Sequence, residues 1–137
     1  MSRHSRDLDL ECGTILKRIS TSAAINSNAT ATPDQIATGY ITSTSGAATQ
    51  ITLPTGTLMG NRLRASRGTV FKFYVDNTAG ANTVTIAVAT NGILSAAAAA
   101  GSGANFGLLT VPSGATGLAE FTMVFTSATA YVFSRTA

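Results

Sequence analysis

Tryptophan is absent, histidine and cysteine occur once each, and the 137 residues carry six acids against nine bases. A single cysteine excludes an internal disulfide framework and any cysteine-rich zinc site. His4, the one histidine, lies in a charged N-terminal tail, so a metal centre or a Ser/His/Asp triad lacks its rigidly held core member. Cys12 has no second cysteine and no histidine in a folded segment, and it reads as a small apolar residue where the tail docks. Charged residues make up 11%, less than half the roughly 25% of an ordinary soluble domain. Disorder needs low hydrophobicity and high charge, and 45% of this chain is apolar. No apolar run approaches the roughly 20 residues that cross a bilayer, and Met1–Leu10 has no apolar signal-peptide core. The expectation is a soluble chain made in the cytoplasm, with no membrane partner. The sequon Asn28-Ala29-Thr30 then never meets the glycosylation machinery.

Acids are too few and too scattered for acid/base chemistry. Past residue 33 the only ones are Asp34, Asp76 and Glu120. Asp76 precedes Asn77 and Gly80, where it caps a turn, and Glu120 falls on the outward face of its strand. A calcium loop needs oxygen ligands spread over about twelve residues, which Asp76-Asn77 does not offer. Gly101-Ser102-Gly103 lacks the third glycine of a dinucleotide fingerprint, and no Gly-Lys-Ser/Thr occurs. No catalytic residue, cofactor or metal is therefore expected, and the chain reads as a non-enzyme.

The net charge is +3, so the basic residues need placing. Arg3, Arg6, Lys17 and Arg18 are interspersed with Asp7, Asp9 and Glu11, while Arg62, Arg64, Arg67 and Lys72 have no acid among them. Four cations are a small footprint for neutralising phosphates, and nucleic acid is not expected as a partner. The cluster Arg62–Lys72 is either a solvated loop beside a strand or a patch for carboxylates on another protein, which the planar guanidinium suits.

What is abundant is small. Alanine, threonine, serine and glycine together supply more than half of the chain. The first twenty residues hold seven of the fifteen formal charges, followed by polar filler up to Pro33. The spacing predicts an extended N-terminal arm over 1–34, with one or two helical turns at 14–19, that either frays or orders against a neighbouring subunit. From Gln35 the pattern has period two. Phe71, Phe73 and Val75 alternate with Lys72, Tyr74 and Asp76; Val84, Ile86 and Val88 with Thr85 and Ala87. Phe121, Met123 and Phe125 alternate with Thr122, Val124 and Thr126, and Tyr131 and Phe133 with Val132 and Ser134. Weaker strands fall at 36–42, 49–53, 91–94 and 105–111. A helix is expected only near 57–63, with Leu58, Met59 and Leu63 as its buried stripe, and 96–100 is read as a loop or short turn. Asp76–Asn82 and Ser43–Ala48 carry turn chemistry, and Ser127-Ala128 suits a tight hairpin. The fold class expected is all-β, a single β-sandwich or jelly-roll-like domain over 35–137 with about seven or eight short strands. Gly46-Ala47, Gly80-Ala81 and Gly114-Ala115 recur at a spacing of 34, which fits either three related hairpins or chance in a Gly/Ala-rich chain.

Three stretches carry a resemblance. They are Gly39-Tyr40-Ile41-Thr42-Ser43-Thr44-Ser45 with Ala48–Thr55, Arg67-Gly68-Thr69 through Thr85, and Phe125-Thr126-Ser127-Ala128-Thr129-Ala130-Tyr131. Over residues 37–137 this strand-and-turn texture resembles the capsid decoration, or cement, proteins of tailed bacteriophages and related virion surface proteins. The resemblance implies a structural protein on the outer capsid shell that bridges major capsid proteins, as a homo-oligomer, trimer or dimer. The contacts expected are the arm residues Arg6, Leu8, Leu10, Ile15 and Leu16 and the basic residues Arg62, Arg64 and Arg67. A self-assembling capsid, fibre or spike subunit would use the same composition. A carbohydrate-binding sandwich would need exposed aromatics, for which only Tyr40 and Tyr74 qualify.

Overall fold

A computed structural model describes residues 8–11, 14–17, 19–94 and 110–137. Its strands are β1 (Leu8–Glu11), β2 (Thr14–Lys17), β3 (Ala23–Ala24), β4 (Ala29–Thr30), β5 (Tyr40–Thr42), β6 (Thr49–Thr52), β7 (Val70–Asp76), β8 (Val84–Ala87), β9 (Gly92–Leu94), β10 (Thr110–Val111), β11 (Leu118–Ser127) and β12 (Ala130–Arg135). Two helices interrupt them, α1 (Pro33–Ala37) and α2 (Gly56–Leu63).

The period-two segments became strands because each buries one face. Phe73 and Val75 of β7, Phe121, Met123 and Phe125 of β11, and Tyr131 and Phe133 of β12 are buried in one core. They form the inner face of a six-stranded sheet ordered β3-β5-β7-β11-β12-β9. Ile51, Val84, Ile86 and Val111 line the facing side of a four-stranded sheet ordered β10-β8-β6-β4 and join the same core. Phe73, Phe121 and Phe133 stack with centroids 5.2–6.1 Å apart, a geometry that adds to their area burial.

Both sheets are mixed. A jelly roll is antiparallel throughout, yet five of the nine strand pairings among the described residues are parallel. The reason lies in the path of the chain. β3 lies in the six-stranded sheet and β4 in the other; β5 and β6 repeat that step, and β7 and β8 repeat it again. Three flattened coils result, stacked so that like strands pair in parallel, with α1 and α2 as the return connections. A fourth pass, β10 then β11, runs the opposite way and pairs antiparallel to β8 and β7. The sheets therefore begin before Gln35: β3 and β4 are paired, and Ile25 and Ala31 sit in the core.

Local sequence explains the helices. Residues 36–37, expected in a strand, belong to α1, whose start is fixed by a capping box. Thr32 Oγ1 accepts from Gln35 N–H at 3.1 Å, Gln35 Oε1 accepts from Thr32 N–H at 2.9 Å, and Pro33 fills the first turn. In α2, Met59 is buried as expected, but Leu58 is 53% exposed and Leu63 half-buried. The buried face is instead Gly56, Met59 and Gly60. A Cβ on Gly60 would lie 1.9 Å from the Ala128 carbonyl oxygen, and one on Gly56 2.2 Å from that of Thr129. Two bare positions one helical turn apart thus let α2 rest on the turn of the β11–β12 hairpin.

The three Gly-Ala pairs all lie at sheet-to-sheet corners, not in hairpins: Gly46-Ala47 between β5 and β6, Gly80-Ala81 between β7 and β8, Gly114-Ala115 between β10 and β11. The corners stack at one end of the molecule, joined by hydrogen bonds that run from pass to pass. Asn26 Oδ1 accepts from Thr44 N–H at 3.0 Å and Asn28 Oδ1 from Gln50 N–H at 2.8 Å. Asn82 Nδ2 donates to Gly46 O at 2.9 Å. Asn77 is fully buried; its Nδ2 donates to Asn82, Val111 and Pro112 carbonyls at 2.8–3.2 Å, and Oδ1 accepts from Ser45 Oγ at 3.2 Å.

Residues 14–17, expected to be helical, are a strand. β1 and β2 form a two-stranded antiparallel sheet of their own, with Leu10 opposite Ile15 and Leu8 opposite Lys17, and pair with neither larger sheet. Residues 96–100 and 105–109 lie outside the described residues.

Candidate functional site

The chemistry-bearing side chains gather on the outer face of the six-stranded sheet. Alternation sends Lys72, Tyr74 and Asp76 of β7 outward beside Leu118 and Glu120 of β11. On the other side β5 is parallel, and its register sets Tyr40 opposite Tyr74, one coil and 34 residues apart. Tyr40 Oη donates to Asp76 Oδ2 at 2.5 Å, and Tyr74 Oη donates to Glu120 Oε2 at 3.0 Å. Thr78 donates to Asp76 Oδ1 through its N–H at 3.0 Å and its hydroxyl at 2.6 Å. Glu120 Oε1 takes the Thr136 hydroxyl at 2.9 Å and lies 3.5 Å from Lys72 Nζ. Ile19, Tyr40, Tyr74, Asp76 and Leu118 enclose an open groove of about 340 Å³.

Hydrogen bonding sets the ionisation of these groups. The Thr78 hydroxyl, then Tyr40, holds the Asp76 carboxyl below its ordinary range, and Thr136, then Tyr74, does the same for Glu120. The partners move the other way: Asp76 raises the Tyr40 phenol and Glu120 raises that of Tyr74. Acids go lower and phenols higher, away from neutrality on both sides. General acid–base catalysis wants a group that titrates near the working pH, so the groove offers fixed acceptors and apolar contact. Both phenol protons point into the sheet's own carboxylates, which leaves them uncommitted to sugar hydroxyls.

No family model, curated protein or solved structure matches the chain.

Arg62 lies on α2, Arg64 at its end, Arg67 in the turn before β7 and Lys72 on β7, where its Nζ is 3.5 Å from Glu120 Oε1. Arg62 Nε lies 2.6 Å from Asp34 Oδ1 and ties α2 to α1, an exposed pair of small energetic weight. Arg64 ends α2 in the left-handed conformation, φ 52° and ψ 48°, and is exposed. Arg67 is exposed in the turn before β7, where Gly68 N–H bonds Phe125 O at 2.7 Å. Neither Arg64 nor Arg67 has an acidic partner within ion-pair distance among the described residues. Arg6 lies outside the described residues, and Leu8, Leu10, Ile15 and Leu16 lie on the separate β1–β2 ribbon.

Two features went unread in the sequence. The Tyr40–Asp76 pair spans 36 residues, and its one signal was that Tyr40 and Tyr74 share the 34-residue spacing of the Gly-Ala corners. The charge map is the other. Neither the four-stranded sheet nor the corners 26–28, 43–48, 77–83 and 112–117 contain a formal charge. That face presents Gln50, Thr52, Thr85 and Ala87 with the corner amides, and it opens into shallow hollows around Asn28, Ala48 and Thr49. Among the described residues no three His, Cys, Asp or Glu side chains come together as a metal site. No helix among them is long and apolar enough to cross a membrane.

Proposed function

We propose that this chain is a structural virion protein that binds the outer capsid shell and stabilises it by bridging major capsid proteins. The charge-free face carries the proposal. The centre of a protein–protein interface is depleted of charge, and here one whole sheet and four corners present only uncharged side chains, among them Gln50, Thr52 and Thr85. The two sheets act as a sandwich whose polar flat side meets the shell. Exposed Arg64 and Arg67 supply contacts to carboxylates on a capsid subunit, while Arg62 is committed to Asp34. The arm, through Arg6, Leu8, Leu10, Ile15 and Leu16, reaches a neighbouring subunit. Repetition over a lattice turns modest single contacts into firm retention.

Quantitative mass spectrometry of purified virions of the encoding virus tests this. The expected result is many copies per particle, with particles that lack the chain intact but less heat-resistant. The variant Gln50→Lys with Thr85→Lys, which charges the flat face, is expected to leave the fold intact and to lower occupancy. Absence from virions, or occupancy unchanged by the two lysines, overturns the proposal. Closed shells or fibres formed by the purified chain alone would make it a self-assembling subunit instead.

A further inference from the structure

Both sheets stop on the same flank, at β3 and β4 of the first coil, and neither strand has a partner on its outer side among the described residues. We infer that this flank pairs with the same flank of a second copy of the chain, so that both sheets run on through a two-fold dimer.

The backbone is set for such pairing. Ile25 N–H donates to Thr42 O at 2.9 Å and Ala31 N–H to Thr52 O at 2.8 Å, so these residues turn their backbone groups toward the stack. Successive residues of a strand aim those groups to opposite sides, which sends the N–H and C=O of Ala24 and Thr30 outward. Proteins blunt open edges with charge, proline or a bulge. Here no residue from Ile19 to Pro33 carries a formal charge, and no proline interrupts either strand. Ala29 shares the inward face with Ala31 and lies opposite buried Ile51, yet it is exposed, because no further coil covers it. The other flank differs. There the six-stranded sheet carries β12 and β9 past β11, and Arg135 of β12 donates to Thr110 O of β10 at 2.7 Å. Head-to-tail stacking is thereby blocked, and a contact between like flanks closes on itself.

Two observations choose a second copy over the chain's own N-terminal residues. Ile19 lines the groove with Tyr40, Tyr74 and Leu118, so the chain reaches β3 across the outer face of the six-stranded sheet and not along its edge. In addition, β1 and β2 form one ladder, whereas the flank offers two edges in two sheets about 10 Å apart. The first coil of a second copy presents two strands at that same separation. Ala24 and Thr30 stand three residues to either side of Ser27 in the corner, so one two-fold axis normal to the sheets passes both. Each then faces its own copy, and each pair exchanges two hydrogen bonds. Such a contact is far smaller than a standard interface, so the dimer dissociates on dilution.

Sedimentation equilibrium and site-resolved amide exchange on the full chain, from low micromolar to near millimolar concentration, test this. The expected result is a monomer–dimer equilibrium with no larger species, in which exchange at Ala24 and Thr30 slows severalfold as concentration rises. The variant Ala24→Pro with Thr30→Pro removes only outward N–H groups, and Ala24→Lys with Thr30→Lys sets like charges across the axis. Each is expected to stay monomeric throughout with the dilute-solution melting midpoint kept, and the lysine variant decides if the prolines unfold the chain. Slow exchange at both amides that is equal at every concentration would mean the chain's own N-terminal residues cover the edge, and overturns the inference. So do fast exchange at every concentration, dimers that persist in the lysine variant, and open-ended polymers.

Discussion

Asn77 shows how much one side chain can join. Its amide touches three passes of the chain at zero exposure, and its two N–H donors are shared among three carbonyl oxygens. Asn77→Asp keeps the size, removes the donors and puts a carboxyl among carbonyls. Urea denaturation is expected to show a loss of about 3 kcal/mol or more. Ser43, four residues upstream of Ala47, makes the opposite case. Its hydroxyl is buried with no hydrogen-bond partner, so Ser43→Ala is expected to be neutral or stabilising by up to about 1 kcal/mol. Ionisation follows the same logic. All three tyrosines in the chain have raised phenols: Tyr40 and Tyr74 through their carboxylates, and Tyr131 through burial, with its hydroxyl donated to Pro54 O at 2.8 Å. A raised phenol stabilises the fold below the ordinary value of 10.0, and that stability is lost as pH rises through the folded value. Ultraviolet titration is therefore expected to show no tyrosinate step near the ordinary pH until the protein unfolds. Asp76 works in the other direction. Its lowered carboxyl contributes above the ordinary carboxylate range and is lost as pH falls through the folded value, so Asp76→Asn is expected to flatten the acid limb of the stability curve.

At the scale of elements, α2 and the corners put glycine to different uses. Gly60→Ala drives a Cβ into the Ala128 carbonyl, a backbone atom that cannot step aside, and is expected to cost about 2–3 kcal/mol in thermal or urea unfolding. Gly46 has open space and no positive φ, so Gly46→Ala is expected to be neutral or stabilising by about 0.5 kcal/mol. The same contrast marks what a sequence exposes. β7, β8, β11 and β12 were legible because each buries one face, and burial prints a period of two on the residues. Pairing order leaves no such print. Nothing local in Tyr40–Thr42 says that β5 runs parallel to β7 and not antiparallel, so a jelly roll and a coil stack look alike until the 34-residue offset is taken as a register. α1 was written in Thr32-Pro33-Asp34-Gln35, but the apolar Ile36 beyond it reads equally well as a strand. The groove was hidden for a third reason, since its parts come from β5, β7 and β11 and from Ile19 ahead of the first coil.

The whole molecule divides its labour between faces and ends. Arg62 and Arg64 lie on α2 and at its end, Asn26, Asn28, Asn77 and Asn82 at the corners, Tyr40, Tyr74, Asp76 and Glu120 on the outer face of one sheet, and no strand of the other carries a formal charge. The β1–β2 ribbon stands outside this frame. Deleting residues 1–18 is expected to shift the melting midpoint of the body by no more than a degree or two when measured in dilute solution. Calorimetry checks this, and a large drop would mean that the ribbon braces its own sheets. The coil path has a consequence of another kind. The reversed fourth pass lies against one flank of the stack, while the first coil forms the opposite flank with two short strands of alanine and threonine, Ala23–Ala24 and Ala29–Thr30. Thickness in the stacking direction is then counted in whole turns, each adding about 4.8 Å. Such a molecule is graduated like a ruler: adding or removing one coil changes its span by one such step.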